Sequence, residues 1–240
     1  MRIPRIYLPQ PLETNSEILL DARSAHYLAA VLRMKPGMTL VAFDGSGMEF
    51  PGTLTDINKK SGLVSLGEGK NPGTESTLET HLGIGISRGD RMDFVIQKST
   101  ELGVNIIQPL FTEHCEVKLD DKRADKRRAH WQQISISASE QSGRVIPPVI
   151  HAPLSIEQWL NQVDCQYKFL LDQEQHGKLE EITKPESIAF LIGPEGGISG
   201  NEKALAKDKG FFGLSLGPRT LRTETAPVVA LSLFQYLWGL

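Results

Sequence analysis

The fold is decided by Ile188-Ala-Phe-Leu-Ile-Gly-Pro-Glu-Gly-Gly-Ile-Ser-Gly-Asn-Glu202. Ile188 to Ile192 is an uninterrupted apolar run of strand length. It runs into a glycine-rich loop, and Ser199 with Glu202 three residues later predicts a capping box that opens a helix. Such a loop lets backbone approach a ligand closely, although a strand-to-helix turn without a ligand would also use the glycines. Pro194 and Glu195 make it more unusual than a turn requires.

A second stretch, Leu214-Ser-Leu-Gly-Pro-Arg-Thr-Leu-Arg-Thr-Glu-Thr-Ala226, has the same grammar: a strand end, a glycine, a polar loop and the start of a helix. Two such loops at the carboxyl ends of neighbouring strands predict a crevice. The polar residues Arg222 to Thr225 at the mouth of the last helix read as a site. The simpler alternative makes Glu224 a capping carboxylate and Arg222 a surface arginine.

Around these two stretches strands and helices alternate. His81–Ser87 reads as a strand, and Asp90–Leu102 as a helix opened by Asp90 and closed by Gly103. Val104–Phe111 is the next strand and Lys122–Gln141 a long helix. Lys168–Leu171 and Phe212–Leu216 are further strands. The last helix, Ala226–Trp238, is apolar on nearly every face and is expected to be buried. Strand, helix and strand at this spacing give an α/β domain with a parallel sheet, and the general rarity of threaded chains predicts an open one.

Residues 1 to about 70 read differently. Ile18–Leu20, Thr39–Phe43, Gly52–Ile57 and Gly62–Leu66 are short β segments separated by turn residues, which suggests a small barrel with one helix at Ser24–Arg33. Gly67–Ser76 is the best linker, so the domains are set at 1–72 and 73–240.

Composition excludes several classes. The 240 residues are 40% hydrophobic and 23% charged, the balance of a folded globular protein, and the formal charge is −3, so any nucleic-acid contact must be local. Cys115 and Cys165 have no CxxC spacing and the six histidines no metal-ligand spacing, so no metal is expected and the compartment reads as reducing. Neither a signal peptide nor a run of about 18 apolar residues is present, which predicts a cytoplasmic protein without a membrane partner. Gly83, Gly85 and Gly89 lack the third glycine of GxGxxG, where Arg88 stands. Phosphate loop, HExxH and GxSxG motifs are absent.

Gly193-Pro-Glu-Gly-Gly197, Leu221-Arg-Thr-Glu-Thr-Ala226, Gln97-Lys-Ser-Thr-Glu-Leu-Gly103 and Glu140-Gln-Ser-Gly-Arg144 together resemble the RsmE family of 16S ribosomal RNA uridine-N3 methyltransferases, of the SPOUT class. Arg2-Ile-Pro-Arg5, His26-Tyr-Leu and Val31-Leu-Arg33 extend the resemblance over essentially the whole chain. It implies an N-terminal PUA-like β-barrel, a C-terminal α/β SPOUT domain with a deep trefoil knot, a homodimer, and S-adenosylmethionine as donor. The implied acceptor is N3 of the uridine conventionally numbered 1498 in 16S rRNA of the small ribosomal subunit. Another RNA such as tRNA, or a non-catalytic role in ribosome assembly, are the alternatives.

On this reading Leu171, Ile192, Gly193, Glu195, Gly196, Leu216, Gly217, Leu221, Thr223 and Ala226 hold the cofactor. The uracil N3 proton is held firmly, so the site needs a base or a cation that stabilises the anion. Arg222 and Glu224 are the candidates, with Glu224 either taking the proton or orienting Arg222. RNA contacts are assigned to Arg2, Arg5, Arg33, Arg88, Lys122, Arg123 and Arg144; the mixed-charge run Lys118 to His130 forms a modest basic patch, although for such a run a solvated helix face is the commoner reading. Glu140, Gln141 and Arg144 are expected near the RNA or the dimer partner, and Lys98 with Glu101 forms an ion pair outside the site.

Overall fold

The computed structural model describes residues 3–117, 119–172, 179 and 182–239. Arg2, Lys118 and His176 lie outside them. The chain forms two compact units, Met1–Glu75 with Ser139–Pro147, and Ser76–Ala138 with Pro148–Leu240.

The first unit contains β1 (Arg5–Tyr7), β2 (Glu17–Leu20), α1 (Ala22–His26), β3 (Thr39–Phe43), β4 (Glu49–Ile57) and β5 (Gly62–Leu66). Its sheet has the order β1-β3-β4-β5-β2, with β1 parallel to β3 and the other pairs antiparallel. Alternate residues Leu40, Ala42, Leu54, Val64 and Leu66 turn inward onto Ile6, Leu8 and Leu28. The expected helix over Ser24–Arg33 starts earlier, capped by Asp21, and continues from Tyr27 to Val31 as a wider π-helical turn.

Ser139–Pro147 is tied into this unit by ion pairs and hydrogen bonds. The Arg144 side chain, 5% exposed, is held by both Nε and Nη2 on Glu75, at 3.0 and 2.8 Å. The other Glu75 oxygen accepts the N–H groups of Val145 and Ile146. Arg5 pairs with Glu49 at 2.5 Å and donates to the Gly143 carbonyl. Glu140 accepts the Tyr7 N–H, and its burial pushes the carboxyl above its ordinary range. Arg5 and Arg144, expected on RNA, are thus engaged in internal ion pairs, and Glu140 is likewise committed within the unit. A buried guanidinium is stable only beside a fixed carboxylate, so the unit recruits these residues from a distance in sequence. Arg33 is exposed, in a left-handed conformation with φ of 53°.

The second unit runs β6 (Glu79–Gly85), α2 (Arg91–Glu101), β7 (Ile106–Phe111), α3 (Asp121–Ser142), β8 (Val149–Ile150), β9 (Leu154–Ser155), α4 (Ile156–Gln162), β10 (Tyr167–Leu171), β11 (Ser187–Ile192), α5 (Gly200–Asp208), β12 (Phe212–Leu214) and α6 (Ala226–Phe234). The last four residues of α3 belong to the first unit. The strands form one wholly parallel sheet in the order β12-β10-β11-β6-β7-β8, with β9 also on β7. β11 lies within the sheet and is buried on both faces, which suits its apolar run. Ile188, Phe190 and Ile192 join α2 and α6 in one core, and Ala189 and Leu191 join α4 and α5 in another.

Gly83 and Gly85 serve packing. A Cβ on Gly83 would lie 2.3 Å from the Trp159 ring of α4, and one on Gly85 would lie 2.3 Å from Pro194. Lys98 and Glu101 form the expected ion pair, at 2.8 Å. Helix α4 was not foreseen, although Ser155 and Gln158 form a full capping box at its start. The last helix departs from expectation. It is buried at Ala230, Leu231 and Phe234, continues as a π-helical turn over Gln235–Gly239, and leaves Leu233, Tyr236 and Leu237 exposed at i, i+3 and i+4 spacing. No described helix is long and apolar enough to cross a membrane.

Glu75→Gln leaves the Arg144 charge buried with a weaker partner, and an unfolding free-energy loss of about 3 kcal/mol is expected in urea titration. Combining it with Arg144→Met should recover part of the loss.

Candidate active site

The site is built at the carboxyl ends of β10, β11 and β12. Helix α5 begins with the predicted capping box: Ser199 accepts the Glu202 N–H, and Glu202 accepts the Ser199 N–H at 2.9 Å. Glu202, 8% exposed, also accepts the Glu113 N–H at 2.8 Å. His114 donates from Nδ1 to the Gly196 carbonyl at 2.9 Å. The segment after β7 therefore holds the glycine-rich loop at Gly196 and the first turn of α5 at Glu202. No side chain fits at Gly193, where a Cβ would be 2.7 Å from the backbone of Gly197. Gly197 itself adopts φ of 72°.

The second loop returns from β12, at one edge of the sheet, across the ends of β10 and β11. Thr223, 8% exposed, donates from its hydroxyl to the Gly193 carbonyl at 2.7 Å and fastens the two loops together. Between them lies a cavity of about 750 Å3. The structure brings Leu171, Ile192, Gly193, Glu195, Gly196, Leu216, Gly217, Leu221, Arg222, Thr223, Glu224 and Ala226 together on its walls. Strand β12 stops at Leu214, two residues short of expectation, which frees Leu216 to line the cavity.

The cavity's charges are arranged asymmetrically. Arg222 has its side chain 80% exposed, and its Nη1 stands 4.0 Å from Oε1 of Glu224, whose side chain is 18% exposed. Oε2 of Glu224 is buried and has no hydrogen-bond partner among the described residues. Burial raises the Glu195 carboxyl, but N–H donors from its own backbone, from Arg88 and from the Arg91 side chain outweigh that and hold it below the ordinary range. Lys203 pairs with Asp172 at 2.8 Å across another part of the wall.

Arg88, Lys122 and Arg123 lie on the surface outside this cavity, Arg88 paired with Glu116 and Arg123 with Asp120. Arg91, Asp172, Lys203 and His114 were missed. Asp172 directly follows the end of β10, where the strand-end rule could have found it. Arg91 stands in the first turn of α2, where a cation opposes the helix dipole, and that local conflict was its signal. Among the described residues no group of three or more His, Cys, Asp or Glu side chains is placed to hold a metal.

The cavity's mixed backbone, apolar and charged walls and its size suit a small-molecule ligand. Family comparison points the same way. A model of an RNA methyltransferase domain matches residues 74–235, and a model of an RNA methyltransferase PUA domain matches residues 20–66. The chain is 36% identical to ribosomal RNA small subunit methyltransferase E of Buchnera aphidicola subsp. Schizaphis graminum, over 99% of this chain and 98% of that protein. With the Bacillus subtilis protein of the same name the identity is 31%, over 95% and 93%. Among solved structures, a ribosomal RNA small subunit methyltransferase E from Neisseria gonorrhoeae bound to S-adenosyl methionine superposes with a TM-score of 0.93 at 39% identity, covering 99% of each chain. A putative methyltransferase of Legionella pneumophila with bound cofactor SAM gives 0.95 at 38%, covering 100% and 99%.

Thr223→Val removes the side-chain donor to the Gly193 carbonyl. A stability loss of about 1–3 kcal/mol is expected from urea unfolding, with Thr223→Ser close to wild type.

Proposed function

The chain belongs to the RNA methyltransferase family that includes the ribosomal RNA small subunit methyltransferases E, and from that membership we propose that it methylates N3 of a uridine in 16S rRNA, the one conventionally numbered 1498, with S-adenosylmethionine as donor. The observation that carries the reading is the cavity between the two loops, with the largely buried Glu224 carboxylate on its wall beside Arg222. Leu171, Ile192, Leu216 and Leu221 would flank the adenine, and backbone groups at Gly193, Gly196 and Gly217 would meet the polar atoms. The deep trefoil knot belongs to the same reading, supported by the passage of the second loop back across the sheet ends.

When bound, S-adenosylmethionine supplies an electrophilic methyl carbon whose bond to sulfur breaks with the electron pair remaining on sulfur. Glu224 takes the proton from N3, and the pair left on nitrogen forms the new bond to carbon. Arg222 stabilises the charge that spreads onto O2 and O4 as the proton leaves. Arg33, Arg88, Lys122 and Arg123, all exposed, would contact phosphates. A ribosomal substrate fits a cytoplasmic location.

The exposed stripe Leu233, Tyr236 and Leu237 supports a homodimer, because three large apolar side chains on one helical face are best covered by a second copy. Tyr236→Glu is expected to convert a dimer into a monomer in light scattering at micromolar concentration.

The reading is tested by transfer of labelled methyl from S-adenosylmethionine to small subunits lacking the modification, followed by nucleoside identification. Label should appear as 3-methyluridine. Arg222→Ala and Glu224→Gln should each lower kcat by roughly 100-fold or more while cofactor binding persists. Cofactor binding without transfer to subunits or free rRNA would redirect the assignment to tRNA or to an assembly role.

A further inference from the structure

A second cavity, of about 760 Å3, opens beside the first and shares Arg91, Glu195 and Glu224 with it. Its other walls include Arg88, Asp90, Phe94 and Thr225. Transfer between two bound molecules requires their reacting atoms to meet within near-bonding distance, so an acceptor must come in next to the donor. This cavity adjoins the donor cavity across the wall that carries Glu224.

The shared wall is built around Arg91. Its Nη1 donates to Glu195 Oε1 at 2.5 Å, and that same oxygen accepts the Arg88 N–H at 3.2 Å. Arg91 Nε lies 4.0 Å from Glu224 Oε2, the buried oxygen that has no hydrogen-bond partner among the described residues. Glu195 thus fixes a guanidinium whose Nε lies on the side where Glu224 stands. Arg88 is taken by Glu116, so the cavity's cations are largely paired. Phe94 differs from the rest of the lining: it is a large aromatic side chain, 43% exposed, in a cavity otherwise lined mainly by charged and small residues. An exposed ring beside paired charges offers a flat partner for a flat ligand.

We propose that this second cavity receives the acceptor pyrimidine, turned out of its strand, with Phe94 stacked on the base and Arg91, clamped by Glu195, positioning Glu224 at the N3 edge. The inference rests on the methyl-transfer reading above and adds to it where the base sits. N3 lies on the pairing edge of uracil, so it is reachable only in an unpaired base, and an aromatic side chain compensates for the stacking lost on extrusion.

The closing experiment has two readouts. A 16S rRNA fragment with 5-iodouridine replacing the acceptor uridine is irradiated with the wild-type protein and the adduct located by mass spectrometry after trypsin. The expected adduct is on the peptide Met92–Lys98, which contains Phe94. In steady-state transfer to small subunits, Phe94→Ala should raise KM for the subunit by about tenfold, with Phe94→Tyr near wild type. Arg91→Ala should lower kcat by roughly 100-fold, partly restored in Arg91→Lys. In the Phe94 variants the affinity for S-adenosylhomocysteine, measured by calorimetry, should stay within about twofold of wild type. An adduct confined to another peptide, or an unchanged KM in Phe94→Ala, would overturn the cavity assignment while leaving the enzyme reading intact. Loss of S-adenosylhomocysteine binding in Arg91→Ala would make Arg91 part of the cofactor site instead. Absence of transfer by the wild type would remove both.

Discussion

The hydrogen bond from the Thr223 hydroxyl to the Gly193 carbonyl joins segments 30 residues apart and fixes the distance between the two loops that wall the site. Its geometry depends on side chains that are missing. Gly193 must lie against the backbone of Gly197, and Gly85 must lie under Pro194, so neither position has room for a Cβ. With these approaches in place the second loop can cross the ends of β10 and β11 and deliver Leu221 to Ala226 to the cavity. Without them, Arg222 and Glu224 would have no fixed relation to the glycine-rich loop.

The same economy appears on the outer side of the loop. Glu202 completes the cap of α5 with one oxygen and receives the Glu113 N–H with the other, and His114 reaches the Gly196 carbonyl. A flexible sequence is held by groups around it, so its backbone is organised before any ligand arrives. Preorganisation of this kind reduces the ordering cost of binding.

Elements with strong local signals were legible in the sequence. Strands β3 and β5 have the bounds that their turn residues dictate, and Ser199 with Glu202 forms the cap that their spacing predicts. Helix α4 carries an equal signal in Ser155 and Gln158. The loop residues of the cavity were legible because the strand-end rule is a statement about chain direction. What was not legible depends on partners far apart in the chain. Arg5 and Arg144 look like any surface arginine until Glu49 and Glu75 are placed beside them, and Arg91 gains its role from Glu195, 104 residues away. The final helix shows the converse: its hydrophobicity was plain, but only the structure separates the side packed on its own sheet from the stripe left bare.

The recruitment of Ser139–Pro147 into the first unit bears on how the chain is made. Glu75 leaves the ribosome long before Arg144, and the intervening segment belongs to the other unit. At roughly 5–20 residues per second the first unit waits several seconds for its last piece. The amino-terminal unit is therefore not a cassette that folds to completion and is then followed by another. Its final closure comes with synthesis of the long helix, so the two units share a schedule although each has its own core.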